Sequence, residues 1–119
     1  MKQITMMFVF SIMIIGCFEP VSLKIPKDEK FTLKTNKDGS TPMSCIINPD
    51  TEKFNKLLKL LDENNLNWKT EYASVLPRVS VSNSKLHVFF SGNSIVTTID
   101  KNQYSHKIRE SDYAFLNCD

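Results

Sequence analysis

Three cysteines, two histidines and a thin scatter of carboxylates are the side chains of this chain with reactive potential. Cys17, Cys45 and Cys118 are widely spaced, so no paired-cysteine zinc motif is present, and no metalloprotease helix, phosphate loop or nucleophile elbow occurs either. The stretch 91–94, Ser-Gly-Asn-Ser, has the composition of a tight turn. Asp62-Glu63 reads as a helix end, and Glu110 and Asp112 bracket a turn, so the acids do not gather for general acid–base work. His87 and His106 are the natural candidates for acid, base or metal ligand. Strand register, argued below, puts them on opposite sides of a sheet, where they cannot share one ion or one reaction. No enzymatic activity, metal, cofactor or small-molecule substrate is therefore expected.

Charge excludes a second class. The sequence has 119 residues, enough for one domain, with 15 basic and 13 acidic side chains. Lysines outnumber arginines 13 to 2, and no basic block occurs. Such a chain is poorly suited to a phosphate backbone, and nucleic acid is not an expected partner.

The N-terminus carries an address. Lys2 precedes an apolar run from Ile4 to Ile15, interrupted only by Thr5 and Ser11, and Glu19-Pro20 ends the greasy segment. A spanning helix needs roughly 20 apolar residues, so a short run with a charged start describes an export signal. A retained anchor helix reaching through Phe18 is the competing reading. Ile14-Ile15-Gly16-Cys17 resembles the lipobox of bacterial lipoproteins, although Ile14 stands where that family most often has leucine. The resemblance implies cleavage after Gly16, a diacylglyceryl thioether on Cys17 and acylation of the new amine. Membrane contact would then run through this lipid anchor. Phe18 in place of the aspartate linked to inner-membrane retention favours the outer membrane, facing the periplasm. With Cys17 lipidated, Cys45 and Cys118 remain, and an oxidising envelope would join them. The organisation expected is a signal peptide at 1–16, lipidated cysteine and tether at 17–30, and a single domain at 31–119.

The elements that would make up that domain follow from periodicity. Residues 31–35 and 43–47 read as short strands. Asn48-Pro49-Asp50 reads as a helix start, with Asn48 as cap. Phe54, Leu57, Leu58 and Leu61 form one apolar stripe, with Lys53, Lys56 and Lys59 off it. Two-residue turns at Asn83-Ser84, Gly92-Asn93 and Lys101-Asn102 build a meander. They pair Val79 with Val88, Phe90 with Ile95 and Ile99 with Tyr104, and collect the large apolar residues on one face. Lys85 falls opposite Asp100, and 113–116 reads as a last strand returning Cys118 towards Cys45. The fold class expected is α+β: one helix packed on a four- to five-stranded antiparallel β-meander with one disulfide.

The same register sets Phe89 against Val96 on the face away from the helix, flanked by Arg78 and Lys107. Exposed apolar spots tend to mark contacts, unless residues 31–47 fold over this one. Trp68 and Tyr72 are residue types that anchor interfaces, although Trp68 also suits the end of a core. These six residues are the candidate partner-binding set. The plan, with an N-terminal anchor, a helix on an antiparallel sheet and a long-range disulfide, is similar to that of the colicin M immunity proteins. That similarity implies a non-catalytic binding module with a protein partner in the envelope, such as an immunity or inhibitor protein against a periplasmic toxin or hydrolase. The alternative is an accessory structural lipoprotein of a secretion, pilus or similar assembly.

Overall fold

A computed structural model describes residues 21–36 and 41–118. The elements run β1 (Phe31–Thr35), β2 (Met43–Ile47), α1 (Glu52–Glu63), β3 (Lys69–Thr70), β4 (Val79–Ser82), β5 (His87–Ser91), β6 (Ser94–Ile99) and β7 (Asn102–Lys107), then a short 3-10 helix over Glu110–Tyr113. All strands join one antiparallel sheet in the order β2-β1-β4-β5-β6-β7-β3. The sheet has seven strands rather than four or five. The excess comes from β1 and β2, a hairpin added beside β4, and from β3, added beside β7.

The helix begins later than its proline suggests. Asp50 takes a φ of 71°, a left-handed conformation that no helix interior accepts. Thr51, not Asn48, is the cap, and its Oγ1 accepts a hydrogen bond from Phe54 N at 3.2 Å. Phe54, Leu57, Leu60 and Leu61 are buried, while Leu58 lies half-buried at the rim. That stripe covers the sheet face formed by Leu33, Val81 and Val88 in one row and Val79, Phe90 and Ile95 in the next. Phe31 meets Phe54 at 5.7 Å between ring centroids, and Phe90 stacks on Tyr113 at 4.8 Å. Thr97 is the polar intruder on this face; its hydroxyl donates to His87 O at 3.0 Å and is thereby satisfied.

Turn chemistry decides register. The Gly92-Asn93 turn forms as expected, with Gly92 at φ 55°, and pairs Val88 with Thr97 and Phe90 with Ile95. The other two turns differ. Asn83 Oδ1 accepts from both Lys85 N and Leu86 N, which lengthens the first loop so that Val79 pairs with Phe90 and Val81 with Val88. The last turn is Asp100-Lys101, with φ of 50° and 71°, one residue earlier than expected. Ile99 therefore pairs with Asn102 and Thr97 with Tyr104. Both slips amount to two residues along the partner strand, so every side chain keeps its face. Lys85 and Asp100 both lie in turns, outside the β5–β6 ladder.

The C-terminal segment is not a strand. Beyond the 3-10 helix, Leu116 N donates to Tyr113 O at 3.0 Å, and these local bonds take the place of ladder pairing. Tyr113 Oη donates to Gly92 O at 2.6 Å, and Leu116 is fully buried. Cys118 is thereby brought to β2, where it forms the disulfide with Cys45 across a Cα separation of 5.7 Å.

The packed body also starts before residue 31. Leu23 and Ile25 pack against the core. Asn65 clamps Leu23 through both backbone groups: its Oδ1 accepts from Leu23 N at 2.6 Å and its Nδ2 donates to Leu23 O at 2.8 Å. Leu23 and Ile25 are thus fastened to the body, as is Glu29, whose carboxylate accepts from Ser84 N at 2.8 Å. The expected signal segment and Cys17 lie outside the described residues. Among the described residues no helix is long and apolar enough to cross a membrane.

Candidate functional site

The route from β3 to β4 shapes the sheet face away from the helix. These strands lie at opposite ends of the β4-β5-β6-β7-β3 series, so residues 71–77 must cross between them. Glu71 N extends the edge ladder by donating to Gln103 O at 2.8 Å. The chain is then pinned to far-face side chains: Ser105 Oγ donates to Glu71 Oε2 at 3.0 Å, and Gln103 Nε2 donates to Ala73 O at 2.9 Å. It rejoins the sheet at Arg78, whose N donates to Phe90 O at 3.1 Å. Gln103 and Ser105 share their face with Val96 and Phe89 by strand alternation. The connection therefore lies across that face, and Val96 is 0% exposed although it is no part of the helix-side core.

The row expected from sequence is composed differently, and of the two readings left open for it, exposed or covered, Val96 follows the covered one. Ser80 and Ser105, not Arg78 and Lys107, flank the Phe89–Val96 pair, because both outer registers slip by two. Lys107 falls in the neighbouring row, opposite Ser94. Phe89 is half-buried. The covering segment is 71–77, not 31–47, which instead widens the sheet. No sequence pattern marks this crossing beyond its composition, in which Val75, Leu76 and Pro77 interrupt the alternation that strands require.

Trp68 and Tyr72, grouped by sequence, part company. Trp68 is half-buried at the core's end, edge-on to His106 with ring centroids 4.7 Å apart, and its Nε1 donates to Asn65 Oδ1 at 3.1 Å. His106 lies on the helix-facing side, with Nε2 2.5 Å from the helix-capping carbonyl of Asn64. His87 is exposed on the opposite side. Tyr72, at 93% exposure, and Leu76, at 68%, project from the crossing connection.

Beside that connection the structure opens into a groove of about 360 Å³. Its walls are the β1–β2 hairpin, through Lys34, Pro42, Met43 and Ser44, and the return into β4, through Pro77, Arg78 and Ser80. Lys34 stands between Ser44 and Ser80 in the ladder, so its side chain shares the far face. Its lining joins apolar Pro42, Met43 and Pro77 to the short polar Ser44 and Ser80, with the cationic side chains of Lys34 and Arg78. Such a concavity can seat one or two side chains of a macromolecular partner, an acidic one flanked by apolar ones fitting best. Sequence reasoning named Arg78 but missed Lys34, Met43 and Leu76, because the hairpin's place beside β4 has no local signal.

Two carboxylates near these segments are held below their ordinary range. Backbone Ala73 N–H and the Ser105 hydroxyl lower Glu71, and the Ser84 side chain and backbone lower Glu29. Both fasten loops: Glu71 holds Ala73 N and Ser105, and Glu29 holds Ser84 N. Among the described residues no three His, Cys, Asp or Glu side chains come together as a metal site. No protein-family model, curated protein or solved structure matches this chain.

Proposed function

We propose that this chain is a small lipoprotein held at the bacterial envelope through Cys17, and that its domain is a non-catalytic binding module. The concrete form is an immunity or inhibitor protein that captures a periplasmic toxin or hydrolase. One observation carries the binding role: two large side chains, Tyr72 and Leu76, stand exposed on a connection fastened across a rigid sheet, beside a groove lined by Lys34 and Arg78. Large exposed side chains on a well-positioned loop are the usual anchors of a protein contact. The exposed Lys34 ammonium supplies charge selection and steering towards an acidic partner.

The test is crosslinking in intact envelopes with affinity-tagged, lipidated protein as bait. Leu76→Asp and Lys34→Glu should each reduce capture of the same partner at least about tenfold, the equivalent of losing roughly 1.4 kcal/mol. Lys59→Glu, on the outer side of α1, should leave capture unchanged. Equal capture by all three variants would remove the groove and its flanking connection from the account. Recovery of a secretion or pilus component in place of a toxin or hydrolase would keep the surface and change the role to assembly.

A further inference from the structure

The place where the chain enters the fold constrains how the domain sits on its membrane. Leu23 is bonded through both backbone groups to Asn65, in the segment between α1 and β3. Cys17 is six residues upstream, and at roughly 3.3–3.6 Å per residue the anchor lies no more than about 20 Å from that clamp. The same limit holds if the apolar run is retained as an anchor, since it too ends by Phe18. Leu66, next to the clamp, is 51% exposed, and Lys24, adjoining the clamped Leu23, and Lys69, in the edge strand β3, are exposed as well. The groove lies at the other side of the sheet. From β3 to β4 is four strand spacings and to β2 six, or roughly 19 to 29 Å at about 4.8 Å each.

The geometry points to a second, membrane-contacting surface: the β3 edge rests on the bilayer, with Leu66 seated among the headgroups and Lys24 and Lys69 over anionic lipid. This rests on the anchored reading above. The tether turns a weak lateral contact into an intramolecular one, so a single leucine and two cations suffice to bias orientation. Exposed Asp62 and Glu63 at the end of α1 limit the contact to the interface. The sheet then stands with its strand-to-strand direction away from the membrane, and the groove faces the aqueous side.

The experiment uses full-length protein purified from membranes and reconstituted into vesicles of phosphatidylethanolamine and phosphatidylglycerol with brominated acyl chains. Trp68 is the sole tryptophan. In a Trp68→Phe background, Leu66→Trp should lose about half its emission relative to unbrominated vesicles, because a side chain roughly 5–10 Å deep lies within reach of the bromines. Ile46→Trp, on the opposite edge strand, should lose almost none. Where Trp68→Phe unfolds the domain, quenching of native Trp68 in the unaltered chain carries the test. Equal emission at position 66 in both vesicle types, with protein shown by mass spectrometry to carry acyl chains, overturns the orientation and leaves the anchor standing. Protein without acyl chains that fails to float with vesicles overturns both.

Discussion

Removing the Cys45–Cys118 bond should cost about as much stability as a large core truncation, without detaching the tail. The residues lie 73 apart in sequence. In the chain-entropy treatment a loop of that length constrains the unfolded ensemble by about 4 kcal/mol. The folded state should change little. Leu116 is fully buried, Tyr113 Oη holds Gly92 O, and Lys53 Nζ donates to Asn117 O at 2.7 Å, all independently of the sulfurs. The perturbation is Cys45→Ala with Cys118→Ala, in a chain whose Cys17 is serine so that no third thiol competes. With a urea slope of about 2 kcal/mol/M, the midpoint should fall by roughly 2 M. Hydrogen exchange at the Leu116 amide should stay protected in the absence of urea, because its acceptor, Tyr113 O, remains in place. A shift below about 0.5 M would mean that the unfolded chain is not the state the bond acts upon. Loss of Leu116 protection in water would show that the bond, not packing, docks the C-terminal segment.

Three further outcomes test the structure. Val96→Asp should destabilise the domain by several kcal/mol, because a carboxylate under the crossing connection loses its water, whereas Leu76→Asp on the outside of that connection should stay within about 0.5 kcal/mol; equal unfolding midpoints for the pair would show that 71–77 does not cover the face. Lys101→Gly should stabilise by about 0.5–1 kcal/mol, since a side chain at φ 71° costs about 1–2 kcal/mol and added chain freedom offsets part of the gain; an unchanged melting point would contradict the left-handed turn. Glu71 is held below 4.5 in the fold, first by Ala73 N–H and then by Ser105, so its contribution is present above pH 4.5 and is lost as pH falls through the lower folded value. Glu71→Gln should therefore flatten the decline of stability below about pH 4.5, and an acid titration with the same slope as the parent would exclude this fastening.

Faces were more legible than registers. Alternation in 79–82, 86–91 and 94–99 assigns each side chain to the helix side or the far side, and a two-residue slip preserves that assignment. The slips arise because Asn83 folds its own side chain back onto Lys85 N and Leu86 N, and because Asp100 and Lys101 accept positive φ that glycine or asparagine would adopt more readily. The helix stripe was legible for the same reason as the faces, its period being a local property. Lys69-Thr70 has no period to read in two residues, and its pairing with β7 depends on where α1 delivers the chain.

The candidate site follows that division. Local order along the chain determined which residues form the helix stripe and which side of each strand faces it, since alternation and helical spacing are properties of neighbours. Tertiary structure alone decided that 71–77 crosses the far face, burying Val96, exposing Leu76 and bringing Lys34 beside Arg78. Those placements depend on contacts between segments distant in sequence, and such contacts are set by the competition of whole elements for the same apolar surface, which no short window of sequence contains.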